Sequence, residues 1–138
     1  MADKLSVLRE CARVLRPGGR LGVLTIETPP GLAEGQIAIA ERLGPSAVRA
    51  EASLEEMVLA ADLSLRSVED VTTAFERTVE AIVRELEDSE RMLREAEGDE
   101  AYEAEHEKKS DMLAALRRGV IRRTFLVAEK RRISGPRP

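Results

Sequence analysis

The stretch Leu8-Arg9-Glu10-Cys11-Ala12-Arg13-Val14-Leu15-Arg16-Pro17-Gly18-Gly19-Arg20-Leu21-Gly22-Val23-Leu24 carries a helix, a reversal and a strand in one short run. On its amino-terminal side Leu5, Leu8, Ala12 and Leu15 recur at helical spacing, Val7, Cys11 and Val14 widen the stripe, and Asp3 stands where a cap belongs. This pattern predicts a first helix with a broad buried face. Pro17-Gly18-Gly19 stops it, because proline cannot extend the hydrogen-bond ladder and glycine permits the positive φ of a sharp turn. Leu21, Val23, Leu24 and Ile26 then form a nearly continuous apolar run, the pattern of a strand covered by helices on both faces. An interior strand of an α/β sheet is expected, ended by Thr28-Pro29-Pro30-Gly31.

Downstream, Ile37, Ala40 and Leu43 predict a short helix from Glu34 to Leu43, ended by Gly44-Pro45. Ser53-x-x-Glu56 is a capping box, and Leu54, Met57, Val58 and Ala61 give the helix it opens an apolar stripe. Leu63, Leu65 and Ser67 alternate with their neighbours and predict a strand to about Val71. Thr73-x-x-Glu76 repeats the capping box before Phe75, Val79, Ile82, Leu86, Ser89 and Leu93, the stripe of one long helix ending at Gly98. Asp99 can cap a second helix, in which Tyr102, His106, Lys109, Leu113 and Leu116 share a face. The two predict a helical hairpin. Gly119 closes it, and the β-branched and aromatic run Val120 to Ala128 reads as a last strand. From Arg131 to Pro138 no apolar pattern remains, so a frayed basic tail is expected.

Composition bounds the partners. With 138 residues the chain predicts one domain, and 43% apolar with 35% charged residues excludes collagen-like and disordered classes. The run Leu21 to Ile26 is far short of the roughly 20 residues that cross a bilayer, and no apolar leader opens the sequence. A cytoplasmic protein with no membrane partner is expected. One cysteine and one histidine leave no intrachain disulfide and no zinc cluster. Phe75, Tyr102 and Phe125 are too few as stacking platforms for nucleic acid. The net charge of −4 is uneven, acidic from Glu76 to Glu107 and basic from Arg117 to Arg137. These segments read as solvated faces with some mutual attraction, the acidic one repelling phosphates.

No G-x-S-x-G elbow, no G-x-x-x-x-G-K-[ST] loop and no H-E-x-x-H pair is present. His106 stands among Glu103, Glu105, Glu107 and Lys108 and reads as a surface imidazole, while Cys11 falls in the apolar phase of the first helix and reads as core. No catalytic residue and no metal ligand is therefore nominated. Glu27 and Thr28 differ, since they sit at the carboxyl end of an inner strand, the edge where open α/β sheets bind ligands. They are the candidate substrate-binding residues.

The opening stretch resembles the class I S-adenosylmethionine-dependent methyltransferases, whose chains carry R-V-L-[KR]-P-G-G-x-L between the helix before the fifth strand and that strand. Arg13, Val14, Leu15, Arg16, Pro17, Gly18, Gly19 and Leu21 supply the match. The resemblance implies an α/β fold: a partial Rossmann-like methyltransferase sheet of about three strands in the order five, seven, six. Leu63 to Val71 would be the sixth strand and Val120 to Ala128 the seventh. Residues 73–118 would be a helical hairpin insertion within a domain of residues 1–130, followed by the basic tail 131–138. Where many members have a glycine-aromatic pair before the sixth strand, this chain has Ala61-Asp62-Leu63. The family's donor is S-adenosylmethionine, gripped by a glycine-rich turn after the first strand and an acidic residue ending the second. Neither has a counterpart here. The resemblance therefore implies the carboxyl-terminal, substrate-side portion of such an enzyme, expected neither to bind S-adenosylmethionine nor to be active alone, with a complementary amino-terminal half as partner. The alternative is a non-catalytic interaction or dimerisation module, a homodimer that uses the amphipathic helices and the exposed edge of the fifth strand.

Overall fold

The computed structural model describes residues 3–46, 48–49 and 52–132. Its elements are α1 (Lys4–Val14), β1 (Arg20–Glu27), α2 (Glu34–Leu43), α3 (Leu54–Ala60), β2 (Leu63–Asp70), α4 (Thr72–Asp88), α5 (Glu90–Glu97), α6 (Asp99–Arg117) and β3 (Arg122–Lys130). The strands form one sheet in the order β1-β3-β2, which is the expected five, seven, six. β2 and β3 run antiparallel, with Leu63 opposite Lys130, Asp70 opposite Thr124 and a bulge between Leu65 and Ser67. Gly19 bonds to Lys130 and Gly22 lies against Phe125, so β1 is antiparallel to β3 as well. The chain divides into two compact units, Met1–Thr25 with Ala50–Asp70 and Thr124–Pro138, and Ile26–Arg49 with Val71–Arg123.

In the first unit α1 and α3 supply Leu8, Ala12, Leu54 and Val58, and Ala61 just after α3 joins them, in a core completed by Leu63, Leu126 and Ala128 of the sheet, with Leu21, Val23 and Leu65 packed against it. Asp3 caps α1, its carboxylate accepting from Ser6 N at 2.7 Å. Ser53 and Glu56 close the expected box on α3, each side chain accepting from the other's backbone N–H at 3.1 and 3.2 Å. The buried face of α1 is narrower than its sequence suggests: Val7 and Val14 are exposed and Cys11 is only half-buried. A helix lying against a single layer buries one stripe, here Leu8 and Ala12 one turn apart. β1 likewise corrects the expectation of an interior strand. It lies at the sheet edge, and strand alternation puts Leu21 and Val23 on the covered face while Leu24 on the other is half exposed.

The Pro17-Gly18-Gly19 reversal works as its residue types require. Gly18 has φ +79, and a Cβ on Gly19 would stand 2.8 Å from Arg16 O, so both positions need glycine. Gly19 N donates to Arg16 O at 2.7 Å, Gly18 N to Lys130 O at 2.8 Å and Lys130 N to Gly19 O at 2.9 Å, which joins the turn to β3. The Lys130 ammonium donates to Leu15 O at 2.9 Å and satisfies a free carbonyl at the end of α1. Asp62, where the resemblance puts the missing glycine-aromatic pair, has φ +60, a left-handed conformation that glycine favours and aspartate tolerates.

In the second unit α6 packs on α2, α4 and α5. Ala40, Val48, Val79, Leu113, Ala115, Leu116, Val120 and Ile121 are buried together there. The hairpin differs from its sequence reading in three places. α4 starts at Thr72, and Thr73 makes no capping box; instead the Thr72 hydroxyl accepts from Arg123 N at 3.0 Å, so β3 fixes the helix start. The single long helix is interrupted at Ser89 (φ −103, ψ 12), although Ser89 N still donates to Glu85 O and Leu93 N to Ser89 O. Asp99 is the first helical residue of α6, after Gly98 at φ +94.

The last strand begins at Arg122, two residues late, because Val120 and Ile121 are drawn into the helical core. Of the expected charge attraction, Arg117 reaches Glu80 at 3.3 Å and Glu76 at 3.7 Å. The tail expected to fray lies, past Arg132, outside the described residues. Among the described residues no helix is long and apolar enough to cross a membrane.

Candidate functional site

Glu27 and Thr28 end β1, and both are buried although the chain turns there. Glu27 keeps only 3% of its side-chain surface, and its Oε1 accepts from Arg122 Nη2 at 3.2 Å. A buried carboxylate is costly unless a charge and hydrogen bonds compensate it, and Arg122, the first residue of β3, supplies the opposite charge and one of those bonds. Thr28 N donates to the carbonyl of the buried Val48 at 3.1 Å, which pins the chain as it leaves the strand.

The next residue of β3, Arg123, points to the opposite side of the strand and meets α4. The Arg123 guanidinium lies 4.4 Å over the ring of Phe75, a cation-π contact, while Val71 N donates to Arg123 O at 2.9 Å. The start of β3 is thus tied on one side to the end of β1 and on the other to the start of α4. Among the described residues no acceptor meets the buried Nε of Arg122 or of Arg123. Arg122 is 36% exposed, so part of its fork faces out while the rest is held by Glu27. A guanidinium so fixed can pair a carboxylate or phosphate in two parallel hydrogen bonds.

Sequence reasoning named Glu27 and Thr28 and missed Arg122, which it counted in the basic stretch. The available signal was the carboxylate itself: a Glu ending an apolar strand needs a cation, and the neighbouring strand opens with one.

His106 serves the hairpin. Its Nε2 lies 3.2 Å from Glu87 Oε1 and its ring stacks on Tyr102 at 5.8 Å and 14°. The Tyr102 hydroxyl donates to Leu86 O at 3.0 Å, and Arg94 lies 4.5 Å over the same ring while pairing with Glu90, Asp99 and Glu103. These carboxylates hold the Arg94 guanidinium above its ordinary value, and burial pushes the Tyr102 hydroxyl up, with Glu90 adding to it.

A donor cradle of the methyltransferase kind needs consecutive backbone N–H groups in a glycine-rich turn after a strand. β1 is followed by Thr28-Pro29-Pro30-Gly31 before α2, and the two prolines remove the donors such a turn would present. The residues at this strand end do not fit S-adenosylmethionine. Among the described residues no group of three or more His, Cys, Asp and Glu side chains is placed to hold a metal.

No protein-family model and no curated sequence matches the chain. Solved structures do. A protein assigned as a sarcosine dimethylglycine methyltransferase from Galdieria sulphuraria superposes with a TM-score of 0.78 at 18% identity, over 95% of this chain and 48% of its own. Phosphoethanolamine N-methyltransferase 2 from Haemonchus contortus, bound to phosphomonomethylethanolamine and S-adenosylhomocysteine, gives 0.75 at 17%, over 96% of this chain and 31% of its own. A mycolic acid cyclopropane synthase complexed with S-adenosylhomocysteine gives 0.75 at 14%, over 91% and 49%. The chain has the fold of part of a class I S-adenosylmethionine-dependent methyltransferase. It spans about half the length of two of these structures and about a third of the other.

Proposed function

We propose that this chain is the carboxyl-terminal, acceptor-side portion of a class I S-adenosylmethionine-dependent methyltransferase. The observation that carries the reading is the sheet order β1-β3-β2 behind an R-V-L-R-P-G-G turn, in a fold that methyltransferase structures share over more than nine-tenths of the chain. Glu27 and Thr28 would line the acceptor side, with Arg122 orienting Glu27 and offering its outer edge to an anionic group of the acceptor. The solved relatives are named for amine and lipid acceptors, so the fold leaves the acceptor open. Methyl transfer is an in-line displacement that depends on positioning, and the group that grips the donor supplies most of that positioning. Because the Pro29-Pro30 turn cannot grip it, this chain alone is expected to be inactive and to depend on an amino-terminal half for S-adenosylmethionine.

Calorimetry and a transfer assay test this together. Titrating S-adenosylmethionine into the chain should give no heat of binding, and labelled methyl transfer should appear only when a separately expressed amino-terminal half is added. Tight binding to the chain alone would refute the division of labour.

A second reading rests on β1. Leu24 on the edge strand and Val7 and Val14 on α1 are exposed, as a module that pairs with a second copy would leave them. Sedimentation separates the two: a stable homodimer that gains no transferase activity from the added half supports the module.

A further inference from the structure

One end of the first unit collects cations. There α1 and α3 end, β1 and β2 begin and β3 runs out, so the topology brings Arg16, Arg20, Arg66, Lys130, Arg131 and Arg132 together. The chain as a whole carries −4, yet among the described residues these six pair with only two carboxylates. Arg20 and Arg66 share Glu129, and Arg131 lies 3.9 Å from Asp62. Arg132 lies across Gly18, its Nε 3.2 Å from where a Cβ would stand. Among the described residues neither Arg132 nor Arg16 has a carboxylate within 4.0 Å. The free carbonyl end of α1 does not account for Arg16, because Lys130 already donates to Leu15 O there.

Exposed apolar side chains stand at the same end. Val14, the last residue of α1, is 66% exposed. Leu59 is 56% exposed in the last turn of α3, where its carbonyl accepts from Asp62 N at 3.0 Å. The combination selects among polyanions. Five of the six cations are arginines, whose planar fork pairs a phosphate in two parallel hydrogen bonds. No aromatic ring belongs to the patch, since the first unit's one aromatic residue, Phe125, stands opposite Glu69 at the far end of β2. A nucleic acid would therefore gain phosphate contacts and no stacking. A lipid surface offers phosphates in a plane with an apolar layer just beneath, which matches arginines flanked by Val14 and Leu59.

We propose that this end of the first unit docks on an anionic lipid surface. The arginines would pair with headgroup phosphates, while Val14 and Leu59 enter the boundary between headgroups and acyl chains. The expectation of no membrane partner rested on the lack of a spanning run and a leader, and a surface contact needs neither. Such docking is independent of the methyl-transfer reading.

The test is flotation of the whole chain with vesicles of phosphatidylcholine alone and of phosphatidylcholine mixed with phosphatidylglycerol, beside a titration with a short DNA duplex. At low salt the mixed vesicles should carry half the chain at a lipid concentration on the order of 1 mM, and the neutral ones none. High salt should release it. Arg16→Gln/Arg132→Gln, which removes the two unpaired cations, should weaken binding about tenfold or more. Arg77→Gln/Arg118→Gln removes the same charge from exposed positions of the second unit and should bind as the native chain does. Val14→Ser/Leu59→Ser should weaken binding about fivefold. All six positions are exposed, and an unchanged thermal melt checks the fold. Equal binding to neutral vesicles, an equal loss in the second-unit variant, or no loss in the Val14/Leu59 variant would each overturn the proposal. Tighter binding to the duplex than to the mixed vesicles would overturn it too, and would assign the patch to nucleic acid.

Discussion

Among the described residues each unit buries one carboxylate on a strand, Glu129 of β3 and Glu27 of β1, and the two are held differently. Glu129, in the first unit, has 10% of its side chain exposed; it accepts from Arg66 Nε at 2.9 Å and from Arg20 Nε at 3.3 Å, and Arg66 Nη2 pairs with it at 2.8 Å. Arg20 belongs to β1 and Arg66 to β2, so this cluster crosses all three strands, and both arginines end in water at 68% and 52% exposure. Glu27, in the second unit, is deeper and is met by Arg122, whose Nε faces no acceptor among the described residues. In both clusters the arginines keep exposed edges, and the difference is one of depth and number: Glu129 rests on two arginines from two strands, Glu27 on one. A buried carboxylate that leans on a single arginine depends more heavily on that partner.

The largest expected effects test whether the two cores are equally well packed. Leu126 has no exposure in the first unit and Ile121 has 1% in the second. Leu126→Ala and Ile121→Ala should each lower stability in urea by about 3 kcal/mol through lost burial and the cavity left behind. A loss below about 1 kcal/mol at either site would mean that its core relaxes around the gap.

Next comes the Glu27–Arg122 pair. Glu27→Gln keeps shape and removes charge, and it should cost about 2 kcal/mol because Arg122 is left partly buried without its counter-ion. A double-mutant cycle with Arg122→Gln should recover about 1 kcal/mol or more as coupling. Zero coupling would show that the two side chains are neighbours and no more.

The same contrast explains what could be read from sequence. The helix-turn-strand at Leu8 to Leu24, the bounds of α2 and the Ser53 box were legible because each is set by local chemistry: spacing, proline and glycine, and a side chain within three residues of its partner. The start of α4, the first residue of β3 and the partner of Glu27 were not. Each depends on residues about fifty to a hundred positions away, Thr72 on Arg123, and Glu27 on Arg122. Glu27 could be named from its place on a strand, but its mate required the register of β1 against β3 and the first residue of β3. β1 was misjudged as interior because its apolar run reports what its side chains can bury, whereas the sheet order decides what they do bury.

Two capping sequences give a smaller, sharper test of that distinction. Ser53 accepts from Glu56 N, and Ser53→Ala should cost about 1 kcal/mol. Thr73 has the same sequence signature and no cap to lose, so Thr73→Ala should stay within about 0.5 kcal/mol in the same urea titration. Equal losses would restore the sequence reading of the α4 start.

The smallest effect belongs to Glu129, since its partners are solvated and salt screens them. The hydrogen bond from Arg66 holds its carboxyl below the ordinary 4.5, against burial that pushes it up, with the attraction of Arg66 and the hydrogen bond from Arg20 adding to the lowering. A carboxyl lowered in the folded chain stabilises it above the unfolded value and loses that contribution as pH falls through the folded one. Thermal melts of Glu129→Gln should therefore lie below those of the native chain near neutral pH. The gap should close as pH drops below 4.5 and narrow in high salt. A gap that persists in acid would assign the loss to packing in place of charge, and the three-strand tie would then be steric.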